Sequence, residues 1–399
     1  SFAATNRTPP VLTRDFVANW MRENTVLEFL LGPSAKTELV KECAPIVCFI
    51  FSRGDCSHDL LELTWNSVLS LHETISEAIL KTLASCIGSF SYHVFDFFVA
   101  KVQAVKPQDM SLRVISFYSS LVTDVLFYER VCEQSLTFMT TLLFQHRLPV
   151  PVRQCVEQTV QKVISLSPKA LQFDKWLDSF VSVIVNHVYQ VPVSEDALLF
   201  SLNTIKSLIS SYEYYCVKRR TDGCKRQKAV ELLQRECVPN HPGTSAQEPL
   251  TFLAIVIREI ILCHSTYFKS VASDGVSTVP CGSPAVATAQ PDATNHSQNE
   301  DGFQARLSFL SWLLYTGRTH LQSTDFLAIW SQLCDNYVPS HVETFLSWVV
   351  QCRYKKFCIV SENDCLSLVD AMVSLAEHGK MTPAIFDNVS HLLLSLNYV

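Results

Sequence analysis

Apolar residues recur along this chain at three- and four-residue spacing, the period of helices that each bury one face. From Leu12 the run LTRDFVANWMRENTVLEFLLG puts Phe16, Val17, Trp20 and Met21 on one stripe, expected to be buried, and Val26, Leu27, Leu30 and Leu31 on a second. Thr13 has the side chain of an N-cap, Asn24-Thr25 breaks the pattern, and Gly32-Pro33 stops it. The next helix is predicted to open at Ser34 and reach about Phe51, with Pro45 kinking it or delaying its start. Arg53-Gly54-Asp55 reads as a turn. The helix over 57–71 then carries Leu60, Leu61, Thr64, Trp65 and Val68 on one side. His72-Glu73 opens another, with Ile75, Ile79, Leu80 and Leu83 inward, and a shorter one over 91–101 holds Val94, Phe95, Phe98 and Val99. The connections are about 2–8 residues long, as between helices packed on one another.

The same rhythm predicts helices over 112–127, 131–144, 152–166, 173–188 and 196–217, punctuated at Pro149, Pro151, Pro168 and Pro192. Residues 180–191, FVSVIVNHVYQV, are β-branched enough for a strand, but helical neighbours and the lack of a flanking hairpin turn favour helix. Helices follow over 227–235 and 252–267, with a break at 239–242. Residues 269–302 differ in kind: rich in Ser, Ala, Thr, Pro and Asn and poor in large apolar side chains, they cannot bury enough surface to offset the entropy of ordering. They are predicted to be a disordered insertion. Helices return over 305–314, 323–333, 342–352, 362–378 and 382–396. DFLAIWSQL at 325–333 echoes LLELTWNSV at 60–68, with Trp330 on Trp65 and Phe326 on Leu61. After each Trp come a short gap, a His and a Glu: His72-Glu73 in one case, His341 and Glu343 in the other. Degenerate echoes of this kind arise when each repeat must bury one stripe against the next. The expected plan is a linker at 1–11, helical repeats over 12–268, the insertion at 269–302, and more repeats over 303–399: an all-α solenoid of stacked hairpins.

Composition agrees. Only ten glycines occur in 399 residues, where average usage near 7% would give about 28; nucleotide-binding α/β folds and β-barrels spend more. Apolar residues make up 48% and charged residues 18%. A net charge of −6 argues against nucleic acid as the main partner. One segment departs from that balance: KRRTDGCKRQK at 218–228 carries six basic side chains, read as a solvated loop or helix end, with contact to an acidic partner surface as the sharper reading. None of the fifteen cysteines forms a Cys-x-x-Cys pair, so structural zinc is not expected, and an odd count in a long chain does not fit a disulfide framework. Most sit on apolar stripes, where cysteine packs as a small hydrophobe in a reducing compartment. The chain starts at Ser1 with no leader pattern, and no apolar run approaches the roughly 18–20 residues of a membrane span. It is expected to be an internal piece of a larger soluble protein that binds neither membrane nor nucleic acid.

Candidate chemistry is sparse. There is no G-x-S-x-G, P-loop, G-x-G-x-x-G or H-E-x-x-H. His72-Glu73 is not a zinc helix, because position 76 is Ser. Cys43, Cys48, Cys56 and His58 lie close in sequence, but Cys43 and Cys48 sit on an apolar helix pattern and read as packing rather than as metal ligands. Trp20, Trp65, Trp176, Trp312, Trp330 and Trp348 read as core anchors. No catalytic, cofactor-binding or metal-binding residue is assigned, and no cofactor is expected.

In order, Leu12–Asp15, Trp20–Asn24, Leu61–Glu73 and Phe95–Phe98 make a series that resembles the helical-repeat region of the very large ubiquitin-specific proteases of the Fat facets type. RLSFLSWLLYTGRTHLQSTDFLAIWSQL and MTPAIFDNVSHLLLSLN also look like that region. The likeness is good over 12–100 and 303–397 and thin between. It implies an armadillo/HEAT-like superhelix outside the catalytic domain of a cysteine-type deubiquitinase, in the cytoplasm with the nucleus as a second compartment. Its partners would be proteins, either ubiquitinated substrates or adaptors. The family's catalytic Cys box and His box are absent here, so no catalytic residue carries over to any position. An armadillo/HEAT-type adaptor with no protease attached is the alternative.

Overall fold

The computed structural model describes residues 13–53, 56–124, 129–145, 148–166, 172–189, 193–212, 223–238, 249–274, 293–353 and 359–397. Nineteen α-helices and one two-stranded ribbon occur among them, in two compact units, Ser1–Leu171 and Gln172–Val399.

The first unit opens with α1 (Arg14–Glu23), capped by Thr13, whose hydroxyl accepts from the Phe16 amide at 3.2 Å. Thr25 takes the left-handed conformation, φ 49°, and turns the chain into α2 (Val26–Leu31). Gly32 ends it: a Cβ there would lie 2.1 Å from the Glu28 carbonyl oxygen, so no larger residue fits. The single helix predicted from Ser34 is two helices, α3 (Thr37–Glu42) and α4 (Ala44–Phe51). Pro45 is the cause. It sits in the first turn of α4, where a missing N–H costs nothing, and the residue before α3 is Lys36 rather than Ser34.

Helices α5 (His58–Ser70) and α6 (Glu73–Cys86) form the first full hairpin. Ser57 caps α5 by accepting from the Leu60 amide, and His72 caps α6 by accepting from the Thr74 amide. Next come α7 (Tyr92–Gln103) with α8 (Leu112–Asp124), and α9 (Glu129–Gln145) with α10 (Val150–Leu166). Two layers result. α2, α5 and α7 follow one another in the first, and α3 with α4, then α6, α8 and α10, in the second. Phe98 is the hub of the core between them. Its ring lies 5.4 to 6.4 Å from those of Phe51, Trp65, Phe90, Phe97 and Phe117.

The second unit repeats the scheme more regularly. Its hairpins are α11 (Phe173–Val188) with α12 (Glu195–Ser211), α14 (Phe252–Asp274) with α15 (Ala293–Gly317), α16 (Ser323–Asp335) with α17 (Pro339–Arg353), and α18 (Glu362–Glu377) with α19 (Pro383–Asn397). The first members stack in the order α11, α14, α16, α18, and the second in the order α12, α15, α17, α19. A further helix, α13 (Gly223–Gln234), packs on α12, α14 and α15. Between α13 and α14, β1 (Glu236–Cys237) pairs antiparallel with β2 (Leu250–Thr251), a ribbon the periodicity did not show. Gly379, at φ 69°, closes α18 with the Lys380 amide donating to the Leu375 carbonyl.

The helix favoured over a strand for the β-branched run from Phe180 is what forms: Phe180, Val181, Ile184 and Val185 share a buried face at helical spacing within Phe173–Val188. Several other expectations need correction. Of the segment 269–302, residues 269–274 belong to α14 and 293–302 to α15; residues 275–292 lie outside the described part. The linker at 1–11, the break at 239–242 and most of the 53–55 turn lie outside it too. On α1, Phe16 and Trp20 are exposed, Trp20 by 51%, while Ala18 makes the buried contact. Val17 and Met21 of the same stripe are half-buried, so its Phe16 and Trp20 edge is what faces outward. The echo holds in one half. Trp65 and Trp330 each occupy the eighth position of a 13-residue helix and are buried. His72 is an exposed cap, whereas His341 is wholly buried within α17.

Truncating either anchor therefore opens a cavity, and Trp65→Ala or Trp330→Ala is expected to lower unfolding free energy by roughly 3–5 kcal/mol. Trp20→Ala should stay within about 0.5 kcal/mol. Urea unfolding of the three variants checks this, and a loss below about 1 kcal/mol at either anchor would contradict the shared packing role.

Candidate functional site

The thiols are the side chains with potential chemistry. Cys43 donates to the Val40 carbonyl at 3.1 Å, and Cys86 to the Ala44 carbonyl at 3.3 Å, between α3, α4 and α6. Burial raises the Cys43 thiol above its ordinary range, and burial together with its Cys48 neighbour pushes Cys86 to about 12. Burial likewise raises Cys237, and lifts Cys263 and Cys334 to about 11 each. A nucleophile needs the opposite shift. Of the sequence cluster, Cys56 is buried beside its own turn, and His58 is exposed and faces Glu62 at 3.4 Å. No group of three or more His, Cys, Asp or Glu side chains among the described residues could hold a metal ion. In the basic segment 218–228, the first three cations lie outside the described residues, while Lys228 joins Asp174 at 3.4 Å and Glu231 at 2.9 Å. Among the tryptophans, Trp65, Trp176, Trp330 and Trp348 are buried, Trp312 is half-buried, and Trp20 is not an anchor.

The second unit holds a polar cluster that the pattern reading missed. Arg306 of α15 is 1% exposed. Its Nη1 and Nη2 donate to the two carboxylate oxygens of Glu195 at 2.6 and 2.7 Å, and its Nε donates to Glu259 Oε1 at 2.9 Å. Nη1 also donates to the Gly302 carbonyl at 3.0 Å. Glu259 Oε2 lies 2.6 Å from His187 Nδ1. The guanidinium thus ties α12, α14 and α15 together, and Glu259 brings in α11. Burial alone would raise the Glu195 carboxyl, but the hydrogen bonds and charge of Arg306 outweigh it and hold it below the usual range. Gly302 leaves the room: a Cβ there would stand 2.7 Å from Glu195 Oε1 and 3.1 Å from Arg306 Nη1. Arg306 and Glu259 are each 1% exposed, and removing either leaves an uncompensated buried charge, a loss of about 3–5 kcal/mol.

One turn along α14, His264 meets His341 of α17 with Nδ1 atoms 2.9 Å apart, one donating to the other. Neither Nε2 has a hydrogen-bond partner among the described residues. The His341 ring stacks on Phe303 at 4.3 Å and on Tyr267 at 4.7 Å. Burial, and then the neighbouring His264, press the His341 pKa down to about 3, and burial lowers His264 as well. Both imidazoles are therefore neutral near pH 7. These two clusters hold hairpins together.

What the surface offers instead is grooves between successive helices. In the first unit one of about 610 Å³ runs between α5, α7 and α8, and one of about 400 Å³ between α6 and α8. In the second, one of about 420 Å³ lies across α12, α15 and α17, floored by Trp312 and Trp348. Volumes of this size suit a few side chains of a bound segment. No described helix is long and apolar enough to cross a membrane.

A family model described as UBP24/USP9X/USP9Y ARM repeat matches residues 3–365. No curated protein matches the chain.

The neutral histidine pair makes stability depend on pH with a defined sign. The folded pKa of His341, about 3, lies below its ordinary 6.5, so the unfolded chain binds the extra proton between those values. Stability is fully present above pH 6.5 and falls as pH drops toward 3, by up to about 1.4 kcal/mol per pH unit for this one site. His341→Phe keeps the stack on Phe303 and Tyr267 and should flatten that slope in urea titrations at stepped pH. An unchanged slope would show that His341 titrates normally in the fold.

Proposed function

The chain belongs to the UBP24/USP9X/USP9Y ARM repeat family, the armadillo-like helical-repeat region of ubiquitin-specific proteases, and we propose that it serves such a protease as a non-catalytic docking region. In this reading it receives protein partners, ubiquitinated substrates or adaptors, on the grooves between successive helices, while thiol-dependent cleavage of ubiquitin takes place in another part of the parent chain. The observation that carries it is the combination of an armadillo repeat with thiols whose pKa values are raised rather than lowered. Armadillo repeats generally mediate protein interactions, and fold alone does not supply an activity. A reducing compartment, cytoplasmic or nuclear, goes with this reading, since among the described residues the cysteines Cys43, Cys48, Cys56, Cys86, Cys132, Cys155, Cys237, Cys263, Cys334, Cys352 and Cys365 are free thiols.

The test is exposure of the 399-residue chain to ubiquitin carrying a thiol-reactive electrophile at its C-terminus, with a competent ubiquitin protease as positive control. The expected result is no covalent adduct by intact mass. An adduct formed faster than with denatured chain, mapped to any one cysteine, would overturn the non-catalytic assignment.

A further inference from the structure

The groove across α12, α15 and α17 is short of hydrogen-bond acceptors. It holds about 420 Å³ and is walled by rings, Trp312 and Tyr315 of α15 and Trp348 of α17. Among the described residues that line it there is no carboxylate, and Lys206 of α12 is the one charged side chain. Lys206 is exposed and makes no ion pair among the described residues. Its ammonium stands 5.9 Å from the centroid of the Trp312 ring, which attracts the charge without neutralising it. A second polar atom of the lining goes unanswered. Trp348 is 2% exposed, and its Nε1–H has no hydrogen-bond partner among the described residues. A buried indole N–H ordinarily finds an acceptor, and an orphan keeps the whole cost of its desolvation. The two unanswered atoms, one exposed and one buried, are both donors. On the same lining Tyr315 leaves 41% of its surface in water.

We propose that this groove docks an extended segment of a partner protein in which an acidic residue neighbours an aromatic one. The carboxylate meets Lys206, and the ring packs on Tyr315 and Trp312. A backbone carbonyl of the segment accepts from Trp348 Nε1, reached by a side-chain shift of the kind common at interfaces. The inference rests on the docking role proposed above and names the partner chemistry for it. A lining with one cation and no anion selects the sign of the segment. A purely apolar segment would leave Lys206 unanswered, and a basic one would repel it. Nucleic acid fits less well, because a strand is tracked by a row of cations and this groove supplies one.

The probe is a fluorescein-labelled peptide of alternating Glu and Phe between Gly-Ser ends, read by anisotropy against the full chain. The same peptide with Gln for Glu, with Lys for Glu or with Ala for Phe, and oligothymidylate, are the comparisons. The Glu/Phe peptide should bind saturably, more weakly as salt rises, and each comparison should bind several-fold more weakly. Lys206→Gln, at an exposed site, should weaken the Glu/Phe peptide about three- to fivefold, the upper range for an exposed ion pair. Lys206→Glu should weaken it at least about tenfold, and Tyr315→Ser should weaken it too, all at an unchanged urea midpoint. Trp348 supplies a readout that adhesion elsewhere would not move. With nitrogen-15 in the tryptophans, its indole N–H resonance, assigned by its loss in Trp348→Phe, should shift downfield at saturation as it gains an acceptor. Absence of saturable binding, equal binding by the Lys206→Glu protein or of the Gln/Phe peptide, an indole resonance that stays in place, or equal affinity for oligothymidylate would overturn the proposal. None of these results bears on labelling by the ubiquitin electrophile, so this groove and the non-catalytic role fail separately.

Discussion

Each helix here can bury its apolar stripe only against the hairpins on either side of it. α6 has α3 and α4 before it and α8 after it, and α15 has α12 before it and α17 after it. No central core collects the stripes, so each unit is held by a series of local interfaces. The low glycine content follows, since nearly every residue is asked to sit in a helix and only a few positions must turn. Gly32 and Gly379 are two of those, one forced by a close carbonyl and one by a left-handed turn.

Against that apolar background the Arg306 cluster is the exception that fixes one interface. Leucines would bury α15 against α12 and α14 at any of several registers. A guanidinium with two carboxylates to satisfy, and a glycine that leaves space for them, accepts one. The role parallels a single polar residue setting register in a coiled coil. The neutral His264–His341 pair sits at the next interface, between α14 and α17. The buried charges are thus inside the second unit, while the first has the ring cluster around Phe98 and the neutral chain from Gln103 through Tyr118 to Ser135.

Much of this was legible from spacing alone. Periodicity found a helix at each long element, though it read the start of the 25-residue α15 as insertion, and the cap at Thr13, the stop at Gly32 and the paired tryptophans 65 and 330 were readable because each depends on residues within one or two turns. What escaped depends on neighbours distant in sequence. Phe16 and Trp20 form as good a stripe as any buried one; whether it is covered is decided by what lies alongside. Arg306 and Glu195 are 111 positions apart, and no local rule joins them. A signal existed nonetheless. Glu259 stands in the stripe Phe252, Val256, Ile260, and Arg306 in the stripe Phe303, Leu307, Leu310, where a charge is out of place unless something answers it. The groove of the first unit was invisible for the same reason: Leu69 of α5 meets the α7–α8 connection and the start of α8 only when these helices pack.

Family membership gives the setting, and docking on the grooves is the role proposed for the region there. The most direct measurement compares a family protease with and without this repeat region on two substrates: ubiquitin carrying a small fluorescent leaving group, and ubiquitin attached to a folded protein that the protease processes. The account predicts an unchanged rate on the first and a slower rate on the second. Equal slowing on both would make the repeats part of the catalytic machinery, and no slowing on either would deny them a role in docking.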